Sequence, residues 1–182
     1  KFDEHIMNPK IEIAVIGGGL VGSIAAQCFA HCGQQVAQFF PSSTESSTND
    51  YPLSLRPSSR NILEKLGLWS DDCLITTMRQ LHLSSEGCFG MVNIKHDDNQ
   101  PAAYVVSARR LMINIQHVIQ RERRVSQVNT SISCVDDTQQ GIKIHAADRH
   151  WDCQRLVVCD GTQSPISNQL QIPCTKNPSV AE

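Results

Sequence analysis

This chain lacks most of the features that make a sequence easy to place. No apolar run approaches the ~20 residues a membrane-spanning helix needs, so no span is expected. No charge of one sign dominates. Sixteen Lys and Arg stand against 18 Asp and Glu, and a net charge of −2 argues against a nucleic-acid surface. None of the eight cysteines is paired in C-x-x-C spacing. Cys28 and Cys32 lie one helical turn apart, but no other Cys or His cluster completes a metal site, so no metal is expected. The cysteines read as buried, reduced thiols of a cytoplasmic protein. The seven histidines are scattered as surface or structurally satisfied residues. No His, Tyr or Lys constellation for nicotinamide hydride transfer stands out, which disfavours a dehydrogenase. No internal repeat is present, and only the Ser/Thr stretch near residue 45 approaches low complexity.

What remains is an ordinary globular balance, 40% apolar and 19% charged over 182 residues. That is enough for one domain, or a domain with part of another. The chain does not begin with Met; Met7 is a candidate start, and residues 1–9 read as an N-terminal extension or tag remnant.

Ile11 to Ile16 is an apolar, β-branched run that predicts a buried parallel strand. Leu20 to Cys32 carries apolar and small residues at helical spacing, with Gly33 as its stop. "QQVAQFF" predicts a second strand, which completes a βαβ unit. Pro41 to Asp50 is a polar surface loop. A short helix follows in "RPSSRNILEKLGLW", with Ser58 or Ser59 as cap and Ile62, Leu63 and Leu66 on one face. Three strand-like pieces come next ("RQLHLSS", "CFGMVNI", "AYVV"), then a helix from Arg109 to Arg121. That helix has a stripe of Leu111, Met112, Ile115, Val118 and Ile119, and the basic "RERR" suits its C-terminus. "TSISCVDD", "GIKIHAA" and "RLVVCD" predict three further strands. Trp69 and Trp151 read as packing residues. The order predicts an α/β fold of Rossmann-like type with β-rich insertions, its sheet rejoined by "RLVVCD".

The glycine stretch carries the chemistry. Gly17-Gly18-Gly19-Leu20-Val21-Gly22 satisfies G-x-G-x-x-G between a strand and a helix. Gly17 permits the tight turn, Gly19 admits a pyrophosphate against the backbone, and Gly22 lets helix and strand pack. The helix beginning at Leu20 aims its free amides at the phosphates. The fingerprint also wants an acid at the end of the second strand, for the ribose hydroxyls. Phe39 and Phe40 stand there instead, and the nearest acid is Glu45.

"IAVIGGGLVGSIAA", "SLRPSSRNILEKLGLW" and "LVVCDGTQSPIS", in that order, resemble the flavin-dependent aromatic hydroxylases. The ubiquinone-biosynthesis branch (UbiH, UbiI and VisC proteins) is nearest, and "AYVVSARRLMINI" is similar to that branch as well. The resemblance runs from Lys10 to Ile172. It implies an FAD-binding-type domain over residues 10–172 and a tail, 173–182, leading toward a second half, so that the chain stops before the substrate domain. It also implies FAD, NAD(P)H as reductant, O₂ activation by the reduced flavin, and hydroxylation of a lipophilic aromatic ring. Asp160 and Gly161 resemble the family's second nucleotide-binding motif, and Arg109 an arginine set against the flavin nucleotide. No catalytic residue is assigned. The implied surroundings are quinone-biosynthesis partners, a cytoplasmic or inner-membrane-peripheral location, and self-association through an open sheet edge.

The chain departs from the family at three places: Phe40 for the ribose acid, Tyr51 for an arginine, and Ser167 for the arginine after the Asp-Gly motif. Two readings stand. One is the nucleotide-binding part of a flavin hydroxylase, incomplete as a catalyst by itself. The other is a diverged, non-catalytic relative that acts as a binding or scaffold protein. Weak or absent FAD retention is expected in both.

Overall fold

The computed structural model describes residues 11–41, 50–85, 87, 89–97, 101–138, 141–147 and 149–173. Glu45, Met7, Cys88 and Cys174 lie outside them. The chain divides into two compact units, Lys1–Ser43 with Arg124–Glu182, and Thr44–Arg123.

The first unit is built on a six-stranded sheet. In chain order its elements are β1 (Ile11–Ile16), α1 (Leu20–His31) and β2 (Val36–Phe40). The second unit interrupts the chain here, and its elements are β3 to β7, α2 and α3. The first unit then resumes with β8 (Val125–Asn129), β9 (Cys134–Thr138), β10 (Gly141–Ala146), β11 (Arg149–Val158) and the short α4 (Pro165–Gln169). The strand order is β8-β2-β1-β11-β10-β9. β8, β2, β1 and β11 run parallel, and β10 and β9 close the sheet antiparallel.

The apolar character of β1 has a direct cause, because both of its faces are covered. Ile13 and Val15 pack with Ala26, Ala30 and Val36 on the α1 side. Ala14 packs on the opposite side with Ala37, Phe39, Ile144 and Cys153. Small residues on α1 (Gly22, Ser23, Ala26, Ala30) let the helix approach closely, and Gly33 at φ +86° ends it. Phe39 and Trp151 meet edge to face at 5.1 Å, so Trp151 is a packing residue as expected.

The predicted return of "RLVVCD" to the first sheet is what the structure contains, in register Ile16↔Val158. That strand is longer than its apolar part. It starts at Arg149, because its N-terminal half pairs with β10 in the exposed antiparallel part, where alternation replaces a continuous apolar run. β8 was not anticipated. "VSQVN" has only two apolar residues, and pairing with β2 decides its state.

The second unit holds a three-stranded antiparallel sheet, β3 (Pro52–Leu55), β7 (Ala103–Ser107) and β4 (Leu74–Met78), and a hairpin of β5 (Gln80–Ser84) with β6 (Met91–Lys95). Two helices accompany them, α2 (Pro57–Lys65) and α3 (Ala108–Ile119). β3 and β4 are short and half-exposed, and carry no signal of their own. The expected serine cap of α2 is corrected: Arg56 is the cap and Pro57 the first helical residue, whose fixed φ and missing N–H suit that position. Ile62 is 53% exposed, while Leu63 and Leu66 are buried, so the predicted face is narrower. α3 buries Leu111, Ile115 and Ile119 as its spacing requires.

Candidate functional site

The parallel strands β1, β2 and β11 bring their carboxyl ends together in the first unit. β1 connects onward to β2 on one side and pairs with β11 on the other, so the order in which strands are laid down reverses beside β1. Ligand sites of open α/β sheets form at such a switch. Here it collects Gly17–Gly22 after β1, Phe40 at the end of β2, and Asp160-Gly161 after β11.

The three fingerprint glycines have different reasons to be glycine. Gly17 has φ +130°, and a Cβ there would collide with the Cys159 carbonyl oxygen and lie 2.6 Å from its carbon. A Cβ on Gly22 would strike the Gly17 carbonyl, 2.9 Å from its carbon. Both positions are therefore required by the fold, ligand or no ligand. Gly19 is exposed, and a Cβ there meets nothing within 4 Å. It is the N-cap of α1, has no side-chain cap bond, and is followed by no acid in the first turn. The unpaired first-turn amides and the positive end of the helix thus open on empty space over Gly19.

A buried polar network underlies the loop. Gln38, fully buried in the middle of β2, donates from Nε2 to the Gly17 carbonyl at 3.0 Å and to Ser23 Oγ at 3.1 Å. Its Oε1 accepts from Gln127 Nε2 on β8 at 3.1 Å. Sequence reasoning missed all three residues. One signal was available: a glutamine inside the apolar run "VAQFF", where burial demands partners.

Phe39 and Phe40 separate in the structure. Alternation sends Phe39 into the core and Phe40 toward the loop, so only Phe40 takes the place of the ribose acid. Its Cβ and ring lie over Gly18, where an added Cβ would sit 2.7 Å from both Cβ and Cγ of Phe40. Asp160 has the opposite property. Its Oδ1 is buried without a hydrogen-bond partner, an arrangement that protein interiors avoid and a ligand can resolve. The adjacent Gly161, at φ +100°, faces open space.

The remaining predicted residues fall elsewhere. Arg109 belongs to the second unit, in the first turn of α3, and its amide donates to Asp50 Oδ1 at 3.1 Å. Asp50 Oδ2 accepts from Ser107 Oγ at 2.7 Å, and Ser107 Oγ accepts from the Arg110 amide at 3.1 Å, so two residues cap α3. These donors hold the exposed Asp50 carboxyl below its ordinary value, the Ser107 hydroxyl first and the Arg109 amide second. Tyr51 is also in this unit and is exposed. Ser167 donates its amide to Ser164 Oγ at 2.8 Å in the cap of α4 and lines an apolar groove of about 370 Å³ with Val135, Ile142, Leu156, Val158 and Leu170.

Cys73 and Cys153 are buried as expected, and burial pushes the Cys153 thiol up to about 11, with Asp152 adding to the rise. Cys32 corrects the expectation, since it is exposed past the end of α1. Among the described residues no cluster of three or more His, Cys, Asp or Glu could hold a metal, and no helix is long and apolar enough to cross a membrane.

The residues present fit the phosphate portion of a dinucleotide on the evidence of the open cradle at Gly19, and the orphaned Asp160 oxygen fits a hydroxyl or amide donor of the ligand rather than a phosphate. At the ribose they do not fit, because Phe40 offers no acceptor.

No protein-family model matches the chain, and no curated protein does. Solved structures do match. PqsL, a probable FAD-dependent monooxygenase from Pseudomonas aeruginosa, is 19% identical, with a TM-score of 0.73 over 93% of this chain and 48% of its own. The p-nitrophenol 4-monooxygenase PnpA from Pseudomonas putida is 16% identical, with a TM-score of 0.68 over 90% of this chain and 44% of its own. The oxygenase of 2-methyl-3-hydroxypyridine-5-carboxylic acid is 18% identical, with a TM-score of 0.68 over 89% and 42%. The chain therefore has the mixed α/β fold of these oxygenases and spans less than half the length of each.

Proposed function

We propose that this chain is the nucleotide-binding part of an FAD-dependent monooxygenase. The observation that carries the reading is the cradle over Gly19. It is the one fingerprint glycine that the fold itself does not need, and it lies at the same carboxyl edge of the sheet as Asp160, whose Oδ1 has no partner. Solved monooxygenases with the same fold support the general class.

In this reading the backbone at Gly19 and the first-turn amides of α1, that of Gly22 among them, hold the pyrophosphate, while Gly17, whose amide donates to the Phe39 carbonyl at 2.8 Å, shapes the turn. Gln38 keeps the Gly17 carbonyl turned inward, away from the anion. Asp160 accepts a hydrogen bond from a donor of bound FAD outside its adenosine ribose, and Gly161 leaves room for it. Arg109 is assigned to the flavin nucleotide on the sequence resemblance alone. Bound FAD would supply hydride acceptance from NAD(P)H and activation of O₂. Within the class, "LVVCDGTQSPIS" and "AYVVSARRLMINI" support the ubiquinone-biosynthesis branch and a lipophilic aromatic substrate. Phe40 favours a second reading, a non-catalytic relative that has lost tight cofactor binding. Ribose hydroxyls that find no carboxylate forfeit the about 1.5–3 kcal/mol that a hydrogen bond to a charged acceptor is worth.

The test is a titration of the purified chain with FAD, followed by flavin fluorescence and the visible spectrum, alongside Gly19→Val. The expected outcome is a colourless protein that binds added FAD weakly and loses that binding in Gly19→Val. No binding of FAD or ADP at millimolar concentration would overturn the proposal. Saturable binding without turnover of NAD(P)H is expected of both readings, whereas NAD(P)H oxidation by the FAD-loaded chain would overturn the non-catalytic one.

A further inference from the structure

The glycine stretch holds one glycine more than the fingerprint asks for. Gly18 occupies a position where G-x-G-x-x-G accepts any residue. Its backbone is not in the left-handed region, so conformation does not explain it. Phe40 does. A Cβ on Gly18 would lie 2.7 Å from both Cβ and Cγ of Phe40, and 3.1 Å from Cδ2. Gly18 and Phe40 are thus a fitted pair: the Phe40 side chain rests against the loop because the loop has no side chain there. The fit occurs at the strand end where a nucleotide's ribose is ordinarily read by a carboxylate. Phe40 is only half-buried, so its outer face is available to a ligand.

Resting on the nucleotide-site reading above, we propose that Phe40 is a specificity-determining residue that rebuilds the ribose end of the site as an apolar surface. The site then takes a nucleoside diphosphate by its pyrophosphate, with the sugar packed against the ring and its vicinal hydroxyls left to solvent. A phenyl ring accepts no ordinary hydrogen bond from a hydroxyl, so the diol adds nothing to affinity. Glutamate at 40 would restore an acceptor, and a hydrogen bond to a charged group is worth about tenfold or more in affinity.

The experiment measures binding of ADP, 2′,3′-dideoxy-ADP and inorganic pyrophosphate to the full chain by calorimetry, then repeats it with Phe40→Glu. The expected result is dissociation constants for the two nucleotides within about twofold of each other in the wild type, both competed by pyrophosphate. Phe40→Glu should favour ADP by about tenfold. The wild-type ratio needs no variant to fold. If pyrophosphate binds but the wild type prefers ADP tenfold, another group reads the diol and the inference fails while the nucleotide site stands. Pyrophosphate binding with neither nucleotide bound also overturns it, because the ring would then exclude the sugar. If nothing binds, the nucleotide-site reading falls, and this inference with it.

Discussion

Replacing Gly17, Gly19 and Gly22 by alanine, one at a time, separates what the loop does for the fold from what it does for a ligand. In Gly22→Ala the new methyl strikes the Gly17 carbonyl, a backbone group that cannot rotate away. Overpacking of this kind costs about 1–3 kcal/mol. Better helix propensity returns about 1 kcal/mol. A net loss of up to about 2 kcal/mol is expected. Gly17→Ala combines collision with the Cys159 carbonyl and a φ of +130° that alanine resists. It should lose about 3 kcal/mol or more, the sum of overpacking and backbone strain. In Gly19→Ala the methyl meets nothing within 4 Å, and φ is an ordinary −77°. The weaker N-cap and the stiffer unfolded chain each amount to a few tenths of a kcal/mol and oppose each other. Its stability should stay within about 0.5 kcal/mol of wild type. Its methyl nevertheless stands in the cradle, so pyrophosphate and ADP affinity should fall about tenfold or more. Urea unfolding followed by circular dichroism gives the stabilities, and calorimetry with ADP gives the affinities. If Gly19→Ala is as unstable as Gly22→Ala, the open space over Gly19 is wrong. If it is stable and binds ADP like wild type, the cradle does not seat the phosphates.

Three further outcomes are expected. Gln38→Leu strips the Gly17 carbonyl, Ser23 Oγ and Gln127 Nε2 of one partner each and should cost about 2 kcal/mol in urea unfolding; a neutral result would mean the network contributes nothing net. Asp50 has a folded pKa below its ordinary 3.8, so its stabilising contribution is present above that value and disappears as pH falls through the lowered one. Asp50→Asn should flatten acid unfolding of the second unit in that window, and an unchanged pH profile would refute the role of Asp50 as a cap. At pH 8, iodoacetamide followed by peptide mass spectrometry should modify exposed Cys32 and spare Cys153, whose thiol is held protonated by burial; equal labelling in the native state would contradict its placement.

Much of the fold was legible because its signals are local. The β1 run, the glycine turn and the small-residue helix face each depend on a few adjacent residues, and burial on both sides of β1 explains their pattern. The return of the chain at "RLVVCD" was legible for the same reason. β3, β4 and β8 were not, because short half-exposed strands take their state from neighbours distant in sequence. The caps of α2 and α3 went the same way. Several Ser, Arg and Asp residues could have served, and only the assembled turn selects Arg56 for one, and Ser107 with Asp50 for the other.

At the candidate site the division is sharper. The sequence by itself determined that a strand, a glycine loop and a helix meet, and that no acid follows where a ribose would ask for one. Only the tertiary structure decided which glycines the fold consumes and which it leaves open. It also decided that Phe39 turns inward while Phe40 lies on Gly18, that Gln38 holds the loop from beneath, and that Asp160 keeps an oxygen without a partner. Apart from Gly22 against Gly17, five positions away, these are contacts between residues 15 to about 140 positions apart. Periodicity and spacing carry no information about such contacts until the parallel strands bring their carboxyl ends together.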